Sequence, residues 1–123
     1  MNNILISIKP EYANLILNHT KKYEFRRTIA KKDISMMYIY SSYPVKKVVA
    51  KATIKNIIAK SPYNLWKETR TYAGISRKDF FNYFLGKTTA YAYEIGEVKI
   101  LKKPKTLAEY GIFTPPQSFI YLK

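Results

Sequence analysis

The sequence predicts a small α+β domain, a curled, barrel-like mixed β-sheet with short flanking helices. Three observations carry that expectation. Short strand-like stretches with period-two alternation fall on both sides of a helical middle. Gly, Pro and capping residues punctuate nearly every junction. At 123 residues with 47% hydrophobic content, the chain has material for one core and shows no repeat, low-complexity linker or composition break. Residues 1–123 are therefore read as one domain. A curled, partly closed sheet would limit exposed strand edges.

In chain order, Ile4, Ile6 and Ile8 alternate as a half-buried strand. Pro10 suits the first position of a helix, and Tyr12, Leu15 and Ile16 give that helix an apolar face. It should end near Asn18-His19, with one of the two in the left-handed conformation. Tyr23 and Phe25 alternate with Glu24 and Arg26, so a strand there turns its aromatics to the core and the charged pair outward or into a cleft. Further strands are expected over 36–41 and 48–58. Ser61-Pro62 starts a helix carrying Leu65 and Trp66. Ser76 with Asp79 resembles a capping box ahead of Phe80, Phe81 and Phe84, and Asp79 is assigned to capping. Residues 89–101 return to strand, Thr106 and Glu109 make another capping box, and 119–122 form a last strand.

Charge narrows the partner. Lys and Arg total 22 against 8 Asp and Glu, a formal net charge of +14. Such an excess repels itself and suits a polyanion, nucleic acid first and an anionic membrane surface second. Without cysteine, disulfides and thiolate chemistry are excluded, and His19 is the single histidine. No metal or other cofactor is expected. The N-terminal residues lack the pattern of a secretory signal, and no apolar run is long enough to span a bilayer. The expected location is cytoplasmic, with no membrane partner.

The segment 19–27 holds the densest chemistry. Lys21, Lys22, Arg26 and Arg27 surround Glu24, with Lys31 and Lys32 just beyond. Arg offers a planar fork that matches phosphate or a base edge. A carboxylate among cations stays ionised and accepts hydrogen bonds. From spacing alone, a binding site and a solvated basic turn in which Glu24 neutralises its neighbours stand equal. Tyr40, Trp66, Tyr91 and Tyr93 are candidate stacking platforms, each weighed against an ordinary core role. Ser41 and Ser42 are candidate donors to a phosphate or base, or plain turn residues. Lys46-Lys47 and Lys99, Lys102, Lys103 and Lys105 add basic surface, relevant only if they fold onto the side of Lys21 and Arg26.

His19-Thr20-Lys21-Lys22-Tyr23-Glu24-Phe25-Arg26 resembles the G-x-K-x-x-E-x-R motif of ASCH domains, members of the PUA-like superfamily. Lys21, Glu24 and Arg26 match its polar positions, and His19 stands where the motif has glycine. LISIKPEYANLIL, the IYSS strand before Pro44, the Leu65-Trp66 helix and the closing PPQSFIYL extend the likeness over nearly the whole chain. The resemblance implies a cleft beside the motif and binding of RNA or a nucleotide, in an RNA or transcription regulator. The ligand-binding residues would be Lys21, Glu24, Arg26, Arg27, Tyr40, Ser41, Ser42, Trp66 and Tyr91. The alternative is an enzyme, an acetylcytidine amidohydrolase or a ribonuclease, with Lys21 and Glu24 as candidate catalytic residues. The amidohydrolase members carry Thr where this chain has Glu24 and use a Glu on the central helix, where this chain offers only Asp79. The reading therefore leans to a binding module, with a protein partner as a third option.

Overall fold

A computed structural model describes residues 2–31 and 33–122. Lys32, counted above among the cations following Arg27, lies outside the described residues. The elements run β1 (Asn2–Ile8), α1 (Pro10–Leu17), β2 (Tyr23–Arg26), β3 (Ile34–Ser41), β4 (Lys47–Lys60), α2 (Pro62–Thr69), α3 (Arg77–Tyr83), β5 (Ala90–Lys105) and β6 (Phe119–Leu122). Two 3-10 turns, Arg70–Tyr72 and Leu107–Tyr110, follow α2 and β5.

The strands make one mixed sheet in the order β2-β5-β4-β3-β1-β6. β1 runs parallel to β3 and antiparallel to β6, while β4 pairs antiparallel with both β3 and β5. The pairing shifts register around Ile54, midway along the long β4–β5 ladder. Such irregularities bend and twist a strand. The bend brings the outer strands towards each other without joining them into a barrel. Arg26 on β2 donates to the Ser7 carbonyl on β1 at 2.8 Å and to Ser118 Oγ, just before β6, at 3.3 Å. Past β2, the Lys31 N–H donates to the Tyr121 hydroxyl of β6 at 3.0 Å. Side chains thus bridge the two edges where backbone pairing is absent.

The local signals act as the sequence implies. Pro10 opens α1. Ser61 Oγ accepts from the Asn64 N–H, Ser76 Oγ accepts from the Asp79 N–H, and Thr106 with Glu109 completes a capping box. Strand lengths differ from the periodicity. β5 continues to Lys105 because Lys105 pairs with Val48, although a Lys- and Pro-rich run has poor strand propensity. Pairing with a neighbouring strand overrides that local preference.

Both sheet faces are buried. One carries Ile4, Ile6, Ile8, Met37, Ile39, Ala50 and Tyr93 beneath α1. The other holds Leu5, Tyr40, Val48 and Leu107. At the β2 end, Phe25 packs against Leu65, Phe80 and Phe84 of the helical insert. Phe25 meets Phe80 edge-on, centroids 5.0 Å apart. That cluster ties β2 to α3 and leaves a hollow between them.

Candidate ligand cavity

The hollow has a volume of about 840 Å³ and opens among β1, α1, β2 and α3. Its lining includes Lys9, Lys21, Arg26 and Arg27 as cations and Glu11, Glu24 and Asp79 as carboxylates, with Ser42, Asn82, Tyr83 and Gln117 contributing further polar groups. Four cations therefore face three carboxylates. The chain as a whole has 22 against 8. The cavity is close to charge balance, and most of the positive excess lies elsewhere.

The chain enters the site through the end of α1. Asn18 caps the helix, and His19 then takes φ +67°. This is the left-handed region that favours glycine, the residue that the resembled motif has at this position. The Thr20 and Lys21 N–H groups both return to the Leu15 carbonyl. That tight reversal turns Lys21 inward.

Lys21 is only 3% exposed. Its ammonium donates to the Ala73 carbonyl at 2.5 Å and sits 4.7 Å from the Phe25 ring centre and 5.3 Å from that of Tyr12. Burial lowers its pKa from 10.5 to about 8; Glu24 pulls the value back up and Arg26 adds to the lowering. Gly74 presses on the lysine stem. A Cβ built there would lie 2.5 Å from Lys21 Cβ, and the residue has φ +64°. Glycine at 74 is what lets the lysine lie flat beneath this turn.

Glu24 is 7% exposed and shares the cavity wall. Its Oε2 accepts from Arg26 Nε at 3.1 Å and Nη2 at 2.7 Å. With the Ser7 and Ser118 contacts, most of the Arg26 fork is engaged inside the protein. The pair builds the wall of the cavity, and among the described residues the Arg26 hydrogen bonds to Glu24 fall on Oε2 rather than Oε1. Arg27 donates to the Tyr83 carbonyl at 2.6 Å and stacks over that ring at 4.4 Å. Burial raises the Tyr12 pKa, and the negative charges of Glu11, Asp79 and Glu24 add to the rise.

Of the residues singled out from sequence, Lys21, Glu24, Arg26, Arg27 and Ser42 line this cavity. Tyr40, 2% exposed, belongs to the core beneath the Leu107 turn, and Ser41 is buried beside it. Trp66 packs on Phe80 and Phe81, and Tyr91 lies half-buried on β5 opposite Arg26. Neither is in the cavity wall. Tyr93 is buried, its hydroxyl accepting from the Ala30 N–H.

Asp79 takes part in the cap expected of it, its N–H donating to Ser76 Oγ, and also lines the cavity. Sequence reasoning also passed over Glu11, Tyr12, Asn82 and Tyr83 as site residues. The available signal was helical spacing: Asp79, Asn82 and Tyr83 stand at i, i+3 and i+4, a polar stripe beside the buried Phe80–Phe84 face. Among the described residues, no cluster of His, Asp and Glu is arranged to hold a metal ion. No helix among them is long and apolar enough to cross a membrane.

No family model matches the chain. It is 31% identical over 121 residues to the ATP synthase subunit alpha of Ureaplasma parvum serovar 3, a match covering 98% of this chain but only 15% of that protein's length. It is also 31% identical over 124 residues to an ASCH domain-containing ribonuclease of Zymomonas mobilis subsp. mobilis, covering 97% of this chain and 83% of the relative. The crystal structure of ASCH from Zymomonas mobilis superposes with a TM-score of 0.90 at 30% identity, over 98% of this chain and 87% of the other. The fold, the Lys21-Glu24-Arg26 arrangement and a full-length likeness at this level have one common explanation: the chain belongs to the ASCH family.

Proposed function

We propose that this chain binds RNA and takes the base of one nucleotide into the cavity beside Lys21 and Glu24. The observation that carries the reading is the near-neutral cavity with opposed hydrogen-bonding groups on its wall, a carboxylate and a buried amine. A base edge presents both donors and acceptors and no net charge, which suits such a wall better than a phosphate does. The volume, about 840 Å³, is within the range of small-molecule pockets. The ribonuclease relative supports RNA as the polymer. Binding of fluorescent single-stranded RNA tests the proposal. Lys21→Met should weaken it by at least roughly tenfold, about 1.4 kcal/mol, while the fold is retained. Equal affinity of wild type and variant would overturn it.

A second reading is RNA cleavage in the same cavity. It is favoured by Lys21, whose pKa of about 8 leaves an appreciable neutral-amine fraction near neutral pH, with carboxylates sharing the hollow. A perturbed lysine beside acids can move a proton during phosphodiester cleavage. Incubation of labelled RNA with purified protein should give products whose rate rises from pH 7 to pH 9 and is abolished in Lys21→Met. Cleavage that persists in the variant would assign the activity to other residues.

A further inference from the structure

We infer that the paired arms of β4 and β5 form a track for the phosphodiester backbone of the same RNA strand, outside the cavity. The inference rests on the proposed RNA binding and assigns a surface which that reading leaves open.

Part of the positive excess missing from the cavity lies on these two strands, which carry eight lysines against Glu94 and Glu97. Lys51 and Lys99 are direct register partners across the β4–β5 ladder. Direct partners project on one face with Cβ atoms roughly 5 Å apart, where like charges are mutually destabilising. Neither lysine has an ion-pair partner among the described residues, and neither do Lys47 and Lys105. On the other side Lys51 pairs with Tyr38, so a row Tyr38–Lys51–Lys99 crosses three strands. Tyr38 meets the Tyr110 ring at 5.7 Å, and the Lys105 ammonium stands 5.7 Å from the Tyr110 ring centre. Aromatic rings interleaved with unpaired cations are the makings of a single-strand platform.

Carboxylates are scarce here. Between residues 97 and 109 only Glu97 and Glu109 occur, against Lys99, Lys102, Lys103 and Lys105. Glu109 is held by the Thr106 N–H at 2.7 Å and the Thr106 hydroxyl at 3.2 Å. The Thr106 hydrogen bonds lower its pKa, and Lys105 and Lys47 lower it further. This carboxylate offsets part of the charge at one end of the arm, while the Lys51–Lys99 pair has no such neighbour among the described residues.

Register sets the face. Lys51 shares its face with Tyr38, and Lys105 shares its face with Val48, both in the cluster around Leu107. Lys47, next to Val48, projects to the other face. Lys51, Lys99 and Lys105 therefore line one face of the arm, and an RNA long enough to extend beyond the cavity would lay flanking phosphates along it. An anion bridging Lys51 and Lys99 also relieves their repulsion, which gives the cross-strand pairing a purpose that stability alone does not.

The test compares Lys51→Gln/Lys99→Gln with Lys67→Gln/Arg70→Gln, a control that removes the same charge from the α2 side of the molecule. The probes are a single-stranded RNA 12-mer and a dinucleotide. The track predicts that the Lys51/Lys99 variant loses roughly tenfold affinity for the 12-mer. Its log–log salt slope should fall by about 0.7 per contact removed, with dinucleotide binding unchanged. Equal losses in the two double variants, or no loss in the first, would overturn the track while leaving cavity binding intact. Failure of the wild-type protein to bind either RNA would instead overturn the reading on which the track rests. Thermal melting of each variant accompanies the titrations, and Lys51→Gln/Lys99→Gln should melt no lower than wild type.

Discussion

The cavity and the β4–β5 arm handle charge in opposite ways. In the cavity, cations and carboxylates nearly cancel, and the central ion pair is largely buried. On the arm, lysines face one another across the ladder with little acidic company. Buried paired charges are costly to disturb and fixed in direction. Exposed unpaired charges are cheap, mobile and sensitive to salt. The first arrangement suits discrimination between ligands, the second capture of any polyanion. Both arise from one ladder and one motif, which explains why composition alone points to a polyanion without locating its site.

The sharpest break of this contrast is Arg26→Ala. It removes the partner of a 7%-exposed Glu24 and the side-chain bridge between sheet edges. Loss of one member of such a pair should cost about 3–5 kcal/mol by urea denaturation. Lys99→Ala, its counterpart on the arm, should stay within about 0.5 kcal/mol of wild type. Equal costs would dissolve the distinction.

Next in size is the titration of Lys21. Its folded pKa, about 8, lies below the ordinary 10.5, so the unfolded chain holds the proton more tightly. Stability should therefore rise as pH increases from about 8 towards 10.5, by up to about 3 kcal/mol. Tyr12, Tyr23, Tyr93 and Tyr110 oppose this above pH 10, since burial raises their pKa values and folding then resists their ionisation. The clean window is pH 8–10, and in Lys21→Met the rise should vanish. Gly74→Ala acts on the same lysine by overlap with its stem and by backbone strain. A loss of about 1–3 kcal/mol is expected in thermal melts, with weaker RNA binding. The smallest effect belongs to His19→Gly. Relief of a left-handed histidine should stabilise the fold by up to about 1 kcal/mol and leave the cavity unchanged.

Much of the fold was legible because each junction carries its own chemistry. Pro10, Ser61-Pro62, Ser76 and Thr106 all mark helix starts where the sequence places them. Curvature was less legible, since it depends on register shifts within β4–β5 and on Arg26 reaching across to Ser7 and Ser118. The β2 part of the site could be read because Lys21, Glu24 and Arg26 lie within six residues. The α3 part could not, because Asp79, Asn82 and Tyr83 arrive by tertiary packing of Phe80 against Phe25. Aromatics were the hardest to place. Alternation assigns Tyr40 to a face but cannot tell that the Leu107 turn covers that face.

The central claim, that a nucleotide of RNA occupies the hollow between β2 and α3, has a direct test in Asn82→Trp. Asn82 is exposed on the cavity wall and outside the core, so an indole there narrows the hollow and leaves Lys21, Glu24 and Arg26 in place. Single-stranded RNA should bind this variant at least roughly tenfold more weakly than wild type at equal melting temperature. Undiminished RNA affinity in a folded Asn82→Trp protein would contradict the account.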